Sequence, residues 1–119
     1  MAFAREALTL DPNSVEALEH LATVLVTRQR RYADGLALIE RAATLHPDDA
    51  GLWYADGWLH EFAAHEMRRR PAGSDLDVLE LYEAAARSFR RCLALKPEGK
   101  LVGDAEDLLD HVENELLSL

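Results

Sequence analysis

The sequence predicts an all-α fold built from antiparallel helix pairs and closed by a C-terminal capping helix. Three observations carry that prediction. A pattern of small residue, two variable residues, leucine, any residue and proline occurs three times, with Ala7, Ala42 and Cys92 in the first slot and Pro12, Pro47 and Pro97 in the last. Apolar residues return at spacings of three and four, the period of a helix with one buried face. No stretch shows the alternation of a half-buried strand. Each proline ends a helical run, and polar residues suited to capping the next run follow it: Asn13 and Ser14, Asp48 and Asp49, Glu98 and Gly99. The unit is helix, turn, helix, proline. The 35 residues from Pro12 to Pro47 fit stacked helix pairs better than a single bundle.

Each element follows from its own residues. Over 14–28, Val15, Leu18, Leu21, Ala22 and Leu25 make one apolar stripe, with Asn13 and Glu16 placed to cap its start. A turn at 28–31 leads to a second helix from Tyr32 to Leu45, with Leu36, Ile39, Ala42 and Ala43 inward. Leu52, Ala55, Leu59, Phe62 and Ala63 mark a third, which persists to about Arg70 before Pro71, Ala72 and Gly73 break it. Ser74 and Asp77 are placed to cap a fourth helix reaching Lys96 and carrying Leu79, Tyr82, Ala86, Phe89 and Leu93. Ala105, Leu108, Leu109, Val112 and Leu116 define a last helix, about 104–117, with an acidic outer face.

Composition narrows the function classes. The chain has 119 residues, 49% hydrophobic and 29% charged, and a formal charge of −9. Such a chain buries roughly 65% of its unfolded surface and sustains one core without metal or disulfide. Seven acidic residues and a single lysine follow Pro97, so the acidity is concentrated at the C-terminus. Binding to a phosphate backbone draws its affinity from a basic face, which this chain lacks; no nucleic-acid partner is expected. The longest uncharged stretch is 21–27 and no charged segment with an apolar run opens the chain, so neither a membrane span nor a secretory signal is expected. A single cysteine, Cys92, forms no internal disulfide and agrees with a reducing, cytoplasmic setting.

At this point the chain resembles the tetratricopeptide repeat (TPR), a helix pair of about 34 residues with a W-x2-L-G-x2-Y pattern on its first helix and A-x3-F, then P, on its second. Leu18, Leu21, Ala22 and Leu25, then Gly35, Ile39, Ala42 and Pro47, match it in one unit. Trp53, Asp56, Gly57 and His60, then Ala85, Phe89, Cys92 and Pro97, match it in the next, where Asp56 and His60 are polar at positions the family buries. Either that helix is slightly rotated or the two side chains pair at i, i+4. The resemblance implies a right-handed α-solenoid: a half repeat over 1–12, a repeat over 13–47, a repeat over 48–97 with an elongated helical hairpin, and an acidic capping helix over 98–119. The second unit, 50 residues from Pro47 to Pro97, carries a surplus expected as about two extra turns on each helix. Met67, Leu76 and Leu79 would zip that protrusion, and Arg68, Arg69 and Arg70 at its tip form a possible secondary contact or pair with Asp75, Asp77 and Glu80.

The family's usual activity is recognition of a peptide or partner protein in a concave groove lined by first helices. The corresponding residues here are Glu16, Glu19, Thr23, Val26, Tyr54, Trp58 and Glu61. The lysines, arginine and asparagines with which some members clamp a chaperone's C-terminal carboxylate are not at these positions. Glutamates beside two aromatics favour a basic or amphipathic ligand, through ion pairing and cation–π contact; Trp58 facing a neighbouring helix as core is the competing assignment. A different reading makes the chain an oligomerising scaffold that associates through an uncovered N-terminal helix or the protruding hairpin. No enzyme, cofactor or metal is expected. His60 and His65 imitate a zinc signature, but at i, i+5 they stand about 140° apart around a helix and cannot share one ion, so Glu61 with His65 is the expected surface pair. Cys92 occupies a small-residue slot with no histidine in sequence reach, and there is no phosphate loop, no G-x-S-x-G and no cysteine pair.

Overall fold

The computed structural model describes residues 14–70 and 76–119, and among them five α-helices follow one another with no strand: α1 (Val15–Thr27), α2 (Tyr32–Leu45), α3 (Ala50–Arg69), α4 (Val78–Ala94) and α5 (Lys100–Leu117). The expected half repeat over 1–12 and the expected caps Asn13 and Ser74 lie outside the described residues.

Local chemistry sets the boundaries. Ser14 caps α1, its hydroxyl accepting from the Ala17 amide at 3.4 Å. Helix α1 ends where Arg30 adopts φ 55°, which lets the Gln29 and Arg31 amides donate to the carbonyls of Val24 and Leu25 at 3.1 and 2.8 Å. Helix α2 has no side-chain cap, but the Arg31 guanidinium holds Asp34 in its first turn at 2.6 Å. Asp49 accepts from the Leu52 amide at 3.3 Å to open α3, and Asp77 accepts from the Leu79 amide at 2.8 Å to open α4. Trp53 Nε1 donates to the Pro47 carbonyl at 2.8 Å, fixing the α2–α3 turn to the helix that follows it.

Helices α1 with α2, α3 with α4, and α4 with α5 pack as sequence neighbours, while α1 lies beside α3 and α3 beside α5. Helix α2 rests on α3, while the α2 and α4 backbones stand apart across a cleft. Trp53 stands under Arg91 and Asp56 meets Ser88, so α3 and α4 run antiparallel. Glu61 meets His111 and Arg68 meets Glu115, so α3 and α5 run parallel. The molecule measures 43 × 38 × 19 Å, and its thin dimension is that of two helix layers at about 10 Å each. Leu18, Val26, Ile39, Leu59, Tyr82 and Phe89 are fully buried between the layers.

Two glycines let helices approach closely. A Cβ at Gly35 would fall 2.5 Å from Val26 Cγ2 and 2.9 Å from the Ala22 carbonyl oxygen, and one at Gly57 would fall 2.7 Å from the Phe89 ring. The surplus length of the second unit is distributed differently from the expectation. Helix α3 has 20 residues against 13 in α1, whereas α4 has 17 against 14 in α2, so the extra turns are mostly in α3. Nor does that end stand free, because Met67 is buried and Arg68 pairs with Glu115 on α5. Leu76 is half-buried against the core, but Leu79 is 45% exposed. Helix α5 turns Ala105 and Val112 fully inward with Leu108 and Leu116 half-buried, and leaves Glu106, Asp107, Asp110 and Glu113 exposed.

Candidate functional site

The residues expected to line a groove fall on the layer of α1, α3 and α5. Glu16 and Glu19 border a hollow of about 460 Å³ with Val15, His46, Asp49, Gly51 and Leu52. Burial, then Asp49, then Glu16 pushes the Glu19 carboxyl above its ordinary range. Thr23 is half-buried and donates its hydroxyl to the Glu19 carbonyl at 2.8 Å, one turn back on its own helix. Val26 does not belong to a groove. It is fully buried against Gly35, where the close approach of α1 and α2 excludes any ligand.

On α3, Tyr54, Trp58 and Phe62 are half-buried. Tyr54 packs tilted on Phe89 with ring centroids 5.9 Å apart, and burial, then Asp104, raises its hydroxyl pKa. Trp58 meets Phe62 edge to face at 6.5 Å; it packs against the core and keeps an accessible edge. Glu61 faces α5, with His111 Nε2 3.6 Å away, in place of the expected surface pair with His65. Burial raises the Glu61 pKa, and His111 and His65 oppose that rise. Phe62 was legible only as a core residue, and its place beside Trp58 follows from its i+4 position. Of the arginine run, Arg68 pairs with Glu115 and reaches Ser118 Oγ at 3.3 Å, and Arg69 lies 3.8 Å from Glu66. Among the described residues neither of these two pairs with Asp77, which caps its own helix, or with Glu80, and Asp75 lies outside the described residues.

A second constellation lies on the opposite side, where α2 and α4 stand apart over α3. Glu40 and Thr44 of α2, Trp53, Asp56 and His60 of α3, and Arg87, Ser88 and Arg91 of α4 line a cleft of about 270 Å³. Asp56 and His60 are each 3% exposed, on the face of α3 that α4 covers. The i, i+4 pairing is the one that forms: His60 Nδ1 lies 2.7 Å from the Asp56 carbonyl oxygen and 3.5 Å from Asp56 Oδ1. Its Nε2 lies 3.0 Å from Glu40 Oε1, and Ser88 donates its hydroxyl to Asp56 Oδ2. Burial raises the Asp56 pKa against the opposing pull of His60 and Ser88. Burial is also the largest influence on His60 and disfavours its charged form, but Glu40 and Asp56 together outweigh it and raise the pKa above the ordinary 6.5. The hydrogen bond to His60 lowers the Glu40 pKa, with Arg87 assisting.

Chemically, this is a buried imidazole held on both edges, Nδ1 by the Asp56 carbonyl and Nε2 by Glu40. Glu40, Asp56 and His60 can each offer one ligand atom within 4.8 Å of the others. In the fold the ring turns Nδ1 to the Asp56 carbonyl and Nε2 to Glu40, so both nitrogens already face protein oxygens. Nor is a nucleophile activated, since Ser88 gives its proton to Asp56 while the histidine's far nitrogen faces Glu40. Cys92 is fully buried, and burial pushes its thiol pKa up, the reverse of a reactive cysteine. Compared with protein-family models and with curated proteins, the chain gives no match.

Proposed function

We propose that the chain is a non-enzymatic interaction module of the TPR type, cytoplasmic, whose α1, α3 and α5 layer takes a basic or amphipathic peptide or protein segment. The observation that carries this reading is the half-exposed Trp58 and Phe62 pair on α3. Paired aromatics with accessible edges supply apolar area and a π face for a cation, while Glu16, Glu19 and Glu61 of the same helices supply the opposite charge. Residues that a monomer has no structural need to expose are the usual anchors of an interface.

A direct test titrates the protein with a fluorescent amphipathic helix of leucine and lysine and with its glutamate counterpart. The lysine peptide is expected to bind, at least tenfold more weakly after Trp58→Ala or after Glu16→Lys with Glu19→Lys, and more weakly as salt shortens the Debye length below about 10 Å. Preference for the acidic peptide, or binding indifferent to both variants, would overturn the assignment.

A further inference from the structure

We propose that His60 is a proton-operated latch between α2 and α3: as an imidazolium it bridges Asp56 and Glu40, and loss of the Nε2 proton releases Glu40 and loosens α2 from the rest of the stack.

The chemistry of the ring decides which proton matters. Both neighbours can only accept, but the Asp56 carbonyl, 2.7 Å from Nδ1, is fixed in the helix backbone whereas the exposed Glu40 side chain can swing away, so the neutral ring keeps its hydrogen on Nδ1. The proton that titrates is therefore the one on Nε2, directed at Glu40 Oε1 3.0 Å away. Once it leaves, a nitrogen lone pair faces a carboxylate oxygen at hydrogen-bond distance, and attraction becomes repulsion. Glu40 has somewhere to go: its side chain is 57% exposed, and Arg87 across the cleft already draws it. Asp56 has less freedom, because it is buried and held by Ser88.

The architecture makes α2 the element that moves. Its backbone packs on those of α1 and α3 and stands off from that of α4 across a cleft, so its close hold on the second helix pair runs through α3, where Glu40 meets His60. The charged groups around the ring are Glu40 from α2, Asp56 from α3, and Arg87 and Arg91 from α4, with Asp77 and Glu80 farther along the same groove. The groups nearest the two ring nitrogens, Glu40 and Asp56, are carboxylates, which favours the cation. The raised pKa of His60 agrees with that balance. For a group whose pKa is raised on folding, the stabilisation is full below the unfolded value of 6.5 and is lost as pH climbs through the folded value.

Three readouts on the full chain test the latch: the His60 ring titration by NMR, amide protection corrected for intrinsic exchange, and the thermal midpoint from pH 6 to 9. In the wild type His60 should titrate above its ordinary value, α2 protection should fall about tenfold across that titration while α4 holds, and the midpoint should drop over the same interval. Glu40→Gln, at an exposed position that leaves the fold intact, should lower the His60 pKa and flatten the pH dependence of α2. His60→Gln should abolish it. A His60 pKa at or below its ordinary value, or an α2 profile unchanged in Glu40→Gln, would overturn the proposal.

Discussion

At position 57 a single methyl group would sit 2.7 Å from the ring of Phe89, a side chain with no exposed surface and no room to retreat. Alanine improves helix propensity by up to about 1 kcal/mol over glycine, whereas overpacking a tight core costs about 1–3 kcal/mol. Gly57→Ala should therefore lower the denaturant midpoint. Phe89→Leu should cost less in that background than alone, and additive losses in the double mutant would show the contact is not the cause. At Glu19 the sign is reversed. Its pKa is raised in the fold, so the ionised form is disfavoured there: its share of stability is full below pH 4.5 and lost as pH rises through the folded value. Glu19→Gln should stabilise the protein at pH 7 by a few tenths of a kcal/mol after solvent screening, and that gain should vanish as pH falls toward 4.5. Equal gains at both pH values in chemical denaturation would contradict this account.

The helices themselves were legible because each carries its own period and punctuation, and Leu18, Ile39, Leu59 and Phe89 lie inward as their spacing requires. The bridged histidine was legible only in part. Asp56 and His60 announce an i, i+4 pair, but Glu40 and Ser88 are unremarkable polar positions on other helices, and only tertiary packing brings them to the ring. Val26 misled for a related reason: one residue of rotation on α1 separates the groove side from the Gly35 contact. At this scale α5 has the clearest consequence. It covers α4 and the far end of α3, burying Ala105 and Val112 as it does so. A chain ending at Pro97 should bind a hydrophobic dye and lose its cooperative thermal transition. Arg68→Ala alone, at a pair that is partly exposed on both sides, should cost less than about 1 kcal/mol, and a larger loss would mean that the pair supports α3 more than its exposure implies.

Among the described residues, each helix packs closely only on helices one or two places away in the chain. That ladder has a kinetic meaning. Forming it closes only short loops, so the entropic barrier to folding is low, and folding in the microsecond to millisecond range is expected by stopped-flow or temperature-jump fluorescence. Among the described residues no close packing joins the first helix to the last, so the helices need not open all at once. The α3–α4 interface, which holds Phe89, Tyr82 and the buried Asp56, should be the last to exchange its amide hydrogens, with protection falling toward α1 on one side and α5 on the other. Pulled from its ends, such a molecule should yield in a sequence of small steps, shedding its outer helices before its centre, where a fold closed by contacts between its termini would break in one event.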